Sequence, residues 1–108
     1  MGISNHDSTA RKLIAKAPKS IYFWIVAASY VYYHRPEYPF LLSDVYFDRL
    51  CKHLLDNRAE IGEHSHLGEL VTNSHLTAGT LYDILAMNYP LWLVRMAEDL
   101  VNELEDKV

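Results

Sequence analysis

The sequence predicts a compact all-α single domain of four to five helices around one central buried helix. Three observations carry this. Between Ile21 and Tyr33 the apolar residues run almost without interruption, at a length no single strand needs. Phe47, Leu50, Cys51 and Leu54 form an i, i+3, i+4, i+7 stripe behind a serine start signal. Leu93, Met96, Ala97, Leu100, Val101 and Leu104 repeat that stripe behind Tyr89-Pro90.

Taken in order, residues 1–7 read as a loose tail, and Ser8 as the N-cap of a short helix from Thr9 to about Lys16. Ala17 must leave the helical region because Pro18 follows it. Pro18 suits the first turn of the next helix, where its missing N–H costs nothing. That helix spans about Lys19 to Tyr33. Ile21, Trp24, Ile25, Ala28 and Tyr32 share one side, while Tyr22, Val26 and Tyr30 lie on others. A helix apolar on all sides is one that several neighbours cover.

Arg35-Pro36 and Tyr38-Pro39 end it and stiffen an elbow from His34 to Leu42, anchored through Tyr38, Phe40 and Leu41. Ser43 caps the third helix, and Asp44 sits in its first turn, where negative charge suits the helix dipole. Cys51 falls on the apolar stripe and reads as a small core residue. Between Asn57 and Asn73 the pattern weakens, and Leu67, Leu70 and Val71 fit either a helical turn or a short strand. Thr77 to about Met87 reads as a fourth helix with Leu81, Ile84 and Leu85 inward. Pro90 opens the last helix.

Composition narrows the class of function. Half of the 108 residues are hydrophobic, a globular profile. A single cysteine excludes a disulfide framework within the chain. No signal-peptide core opens the sequence, and the longest apolar run falls short of the ~20 residues that span a bilayer. A cytoplasmic location is the expectation. A formal net charge of −4 argues against nucleic acid as the main partner, since phosphate contacts need clustered cations. Arg11, Lys12, Lys16 and Lys19 crowd the N-terminal end, and Glu98, Asp99, Glu103, Glu105 and Asp106 the C-terminal end. Such runs read as solvated helix faces. His64, His66 and His75 invite a metal reading, but no cysteine lies near them; they read as surface or hydrogen-bonded histidines, and no metal is expected.

One motif carries a family resemblance. Tyr32-Tyr33-His34, then Pro39, Ser43-Asp44 and Phe47-Asp48-Arg49-Leu50 resembles the small N-terminal Ia domain of bacterial NAD-dependent DNA ligases. Small phage-encoded ligase-related proteins show a similar core. The resemblance covers residues 28–56. It implies a grip on the nicotinamide mononucleotide (NMN) half of NAD by Tyr33, His34, Asp44, Phe47 and Asp48. Phe47 stands where the family has tyrosine, keeping the ring without the hydroxyl, and the elbow is one residue longer. The chemistry is sound on its own terms. A flat cationic ring suits stacking on aromatic faces, and Asp44 and Asp48, at i and i+4, share one helix face. His34 can donate to a phosphate or a ribose.

Ligase chemistry requires a lysine nucleophile in Lys-x-Asp-Gly, and that motif is absent from the sequence. No catalytic residue is therefore assigned. The expectation is a small non-catalytic, intracellular, phage- or prophage-type accessory protein that acts by binding a macromolecular partner, a protein rather than a membrane. One alternative is a binding domain for NMN or NAD. Another is one part of a split NAD-dependent ligase. No cofactor is required on this reading; NAD or NMN would be a ligand. A homodimer is compatible with the aromatic content, although no heptad seam marks one.

Overall fold

The computed structural model describes residues 5–106. Five α-helices follow one another, α1 (Asp7–Lys16), α2 (Ser20–His34), α3 (Asp44–Ile61), α4 (Asn73–Ala78) and α5 (Leu91–Asp106), with a short 3-10 turn at Ala86–Asn88. No strand occurs among the described residues. The fold is a single all-α domain with a radius of gyration of 13.0 Å, the size of a compact chain of about this length.

The centre of the domain is α2, as the all-round apolar pattern requires. From Ile21 to Val31 every residue except Phe23 is buried. Helices α1, α3 and α5 all pack on it. Its sides are covered by Leu50, Cys51 and Leu54 of α3 and by Leu93, Ala97, Val101 and Leu104 of α5, all buried. Met96, expected in the α5 stripe, is half-exposed instead. Among the described residues, no helix is long and apolar enough to cross a membrane.

The N-terminal expectation needs correction. Ser8 is not a cap: α1 already begins at Asp7, with His6 before it. The Asp7 carboxylate accepts the Ser43 backbone N–H at 2.9 Å and its hydroxyl at 2.5 Å, which ties the start of α1 to the start of α3. His6 is buried, its Nε2 2.9 Å from the Leu100 carbonyl oxygen. Of the expected loose tail, residues 1–4 lie outside the described residues, whereas residues 6 and 7 are docked.

Ser43 caps α3 as expected, its Oγ accepting the Tyr46 N–H at 3.2 Å. The buried stripe starts at Tyr46 rather than Phe47, which is only half-buried. α3 also runs on past the weakening of its pattern. Asn57 departs from helical angles at φ −120°, and its amide donates to the His53 carbonyl at 2.9 Å. The helix stops at Gly62, whose φ of 85° and ψ of 174° suit only glycine.

Arg58 organises the stretch that the pattern left open. Its guanidinium donates to both Glu63 carboxylate oxygens at 2.7 Å, to Asn73 Oδ1 at 3.0 Å and to the Gly68 carbonyl at 2.9 Å. It also lies over the Tyr22 ring, 5.6 Å from the centroid. These bonds hold Leu67 and Val71 in the core through hydrogen-bonded turns, not a strand.

The fourth helix lies earlier and is shorter than Thr77–Met87. Thr72 caps α4 reciprocally, its hydroxyl accepting the His75 N–H while His75 Nδ1 accepts the Thr72 N–H. Gly79, at φ 72°, ends it in the left-handed conformation. Leu81 and Ile84 are buried from an irregular segment, and Leu85 is exposed. Their spacing mimics a helix, but turns satisfy it.

Candidate functional site

The C-terminal half of α2, the proline elbow, the first turns of α3 and the end of α4 enclose one cleft of about 240 Å³. From α2 come Ala28, Ser29, Tyr32 and Tyr33; from the elbow, Phe40, Leu41 and Leu42; from α3, Asp44, Phe47 and Asp48. Gly79 closes the far side.

Its aromatic wall is partly open to solvent. Tyr32 and Tyr33 meet edge to face, centroids 4.8 Å apart at 88°, and Tyr32 leans on Phe40 at 5.1 Å. Tyr32 and Phe40 remain 49% and 50% exposed, so large ring faces are left to solvent at the mouth. The Tyr33 hydroxyl is hydrogen-bonded to the Thr80 hydroxyl, which ties α2 to the segment after α4. Leu41 and Leu42 are buried beneath, and Ser29 is buried with its Oγ 3.2 Å from the Tyr89 hydroxyl. Burial pushes the Tyr89 phenol above its ordinary value, so it stays a neutral hydroxyl partner.

The acidic side comes from one turn of α3. Asp44 and Asp48 are exposed, and Asp48 Oδ2 lies 3.2 Å from Lys52 Nζ. Gly79 has a local reason to be glycine in its left-handed φ of 72°, and it lies close to Asp48, whose Oδ1 a Cβ there would meet at an ordinary 3.4 Å. Among the described residues, no lysine or arginine lines the cleft.

Of the five positions singled out from the sequence, Tyr33, Asp44, Phe47 and Asp48 line this cleft; His34 does not. One residue further along a helix turns the side chain by about 100°, so Tyr33 and His34 diverge. The His34 Nε2 is 3.0 Å from the Ile84 carbonyl oxygen, and its ring lies against Tyr30 and Tyr89. Tyr32 stood in the quoted motif without a role, and Phe40 was expected to be an anchor of the elbow; both are cleft wall. Gly79 carries no sequence signal for its place, because only the return of the chain after α4 brings it to Asp48.

The other chemically capable side chains have structural tasks. His64 Nδ1 accepts the N–H groups of His66 and Leu67, closing a turn. His75 is part of the α4 cap and its Nε2 is 2.6 Å from Asp83. Among the described residues no three His, Cys, Asp or Glu side chains come together as a metal site. Cys51 is fully buried, and burial, with a contribution from the Asp48 charge, pushes its thiol up to about 12. A second, more open groove of about 460 Å³ lies across the domain between α1, the start of α2 and α5. Phe23 and the half-exposed Trp92 stack there at 6.4 Å, with Leu13 and Met96 beside them and Lys16 and Lys19 also on its wall.

No protein-family model matches this chain, and neither a curated protein nor a solved structure matches it. Fold and cleft together define the class: a small all-α domain with an aromatic, carboxylate-edged cleft.

Proposed function

We propose that this chain is a non-catalytic binding module whose cleft takes the cationic ring of a nicotinamide nucleotide, NMN or the matching half of NAD. The observation that carries this reading is the meeting of Tyr33, Phe47, Asp44 and Asp48 in one cleft. A flat pyridinium stacked on exposed tyrosine or phenylalanine faces gains about 0.5–1 kcal/mol per contact. The two carboxylates add attraction for its charge and acceptors for ribose hydroxyls. Drug-sized ligands occupy pockets of about 300–1,000 Å³. At about 240 Å³ the cleft fits a ring with its sugar, and the adenylate half of NAD would extend into solvent.

Thermal unfolding with millimolar NMN and NAD tests the proposal. Ligand at 100 times its Kd stabilises by about 2.7 kcal/mol, a shift of several degrees. Tyr33→Ala and Asp44→Ala should each remove most of that shift. An unchanged melting temperature with both compounds, and with the phosphate-free nicotinamide riboside, refutes the reading.

The apolar groove favours a second reading, a docking role toward a protein partner. Its chemistry, Trp92, Phe23 and Met96 beside Lys16 and Lys19, suits an amphipathic helix with acidic flanks. Fluorescence anisotropy with an amphipathic peptide flanked by glutamates, against the same peptide flanked by lysines, tests it. The acidic peptide should bind at least tenfold tighter, and Trp92→Glu should abolish that binding. Equal affinities reject the docking role.

A further inference from the structure

Resting on the nicotinamide reading, we infer that the cleft discriminates against the phosphate and takes an N-ribosylated pyridinium without it, nicotinamide riboside in preference to NMN. Four observations converge. First, among the described residues the carboxylates lining the cleft are Asp44 and Asp48, and no lysine or arginine lines it. A phosphate monoester brings a charge of about −1.5 to −2 at neutral pH into that acidic mouth.

Second, Lys52, an exposed lysine on α3 outside the cleft lining, is paired with one of the cleft's own acids. Lys52 Nζ sits 3.2 Å from Asp48 Oδ2, one helical turn away on α3, and would have to give up that pair to serve a phosphate. Third, His34, which follows Tyr33 directly and could donate to a phosphate, is turned out of the cleft. Its Nε2 is held at the Ile84 carbonyl, 3.0 Å away, and its ring is packed on Tyr30 and Tyr89.

Fourth, the α3 N-terminus beside the cleft, ordinarily a ready anion site, is already capped. The Ser43 N–H donates to Asp7 Oδ1, the Tyr46 N–H to Ser43 Oγ, and the Phe47 N–H to the Ser43 carbonyl. Asp44 adds a carboxylate in the first turn, which repels a second anion there. The cleft thus offers faces and negative charge to a ring cation, and among the described residues no cationic side chain lines it for a phosphate. Nicotinamide riboside carries a single positive charge; NMN is net negative near pH 7.

Titration calorimetry at low ionic strength, with nicotinamide riboside, NMN and uncharged nicotinamide as probes, tests this. The riboside should bind at least fivefold tighter than NMN and tighter than nicotinamide. In the Asp44→Asn, Asp48→Asn double variant, checked for an unchanged helical spectrum, the riboside-to-NMN gap should fall to within twofold. Lys52→Ala should leave NMN binding unweakened. NMN binding as tightly as the riboside, or weakened by loss of Lys52, overturns the phosphate discrimination while leaving the nicotinamide reading intact. Heat from none of the three probes, with NAD also silent, overturns both.

Discussion

Gly62→Ala is the sharpest single test of the backbone argument. Gly62 ends α3 at φ 85° and ψ 174°, a conformation essentially reserved for glycine. Forcing an alanine to hold it costs about 1–3 kcal/mol. The new Cβ would lie 3.2 Å from Lys19 Cε, but that contact is with the far end of an exposed side chain, which can swing away at little cost. Backbone relaxation is the alternative route, and it is obstructed. The Gly62 carbonyl accepts the Tyr22 hydroxyl at 2.9 Å, so rotating the peptide forfeits a bond worth about 1 kcal/mol. The expected loss is therefore roughly 2 kcal/mol, or about 8–16 °C in melting temperature for a domain near this size. Gly79→Ala is the internal control. Its φ of 72° and ψ of 26° lie in the ordinary left-handed region, and its Cβ would make only a normal 3.4 Å contact, so it should cost about 1 kcal/mol. Urea and thermal unfolding followed by circular dichroism measure both. If Gly62→Ala falls within ~0.5 kcal/mol of the parent, or costs less than Gly79→Ala, the assignment of strain is wrong.

Further outcomes are expected at three positions. Cys51 should resist thiol reagents at pH 8 in the folded protein and react fully in denaturant; native-state labelling at the rate of a free thiol would contradict its burial. Because its pKa is raised to about 12 from 9.0, its stabilising effect is complete below pH 9 and is lost as pH rises through 12, at up to about 1.4 kcal/mol per pH unit. Cys51→Ala should flatten that alkaline slope in a pH series of unfolding curves. Ser43→Ala removes both the α3 cap and the hydroxyl bond to Asp7 and should cost about 1–2 kcal/mol; a double-mutant cycle with Asp7→Ala should reveal coupling between the two helix starts. Thr72→Ala should cost about 1 kcal/mol and raise amide exchange across α4, because a six-residue helix cannot hold itself without its cap. Unchanged exchange there would mean that packing on α3 alone holds it.

The parts of the fold governed by neighbours along the chain were legible in the residues alone. The all-round apolar pattern marked α2 as the buried centre, Ser43 marked the start of α3, and the 3.6-residue spacing put Asp44 and Asp48 on one face. Each is a local consequence of helix geometry and of the need to cover apolar surface. Local signals misled where two structures share one spacing. Leu81 and Ile84 recur as a helix would place them, yet turns bury them equally well, and α4 sits earlier because Thr72 and Gly79 bound it.

Which side chains share the cleft was set by how the helices pack. Tyr33 and His34 are adjacent in sequence, but helical rotation sends one to the cleft and the other to Ile84, and no pattern along the chain shows what lies on either side. Gly79 reaches Asp48 because the chain folds back after Arg58 gathers Glu63, Gly68 and Asn73 around it. Contacts between residues so far apart depend on how the helices pack, and packing is a property of the whole core.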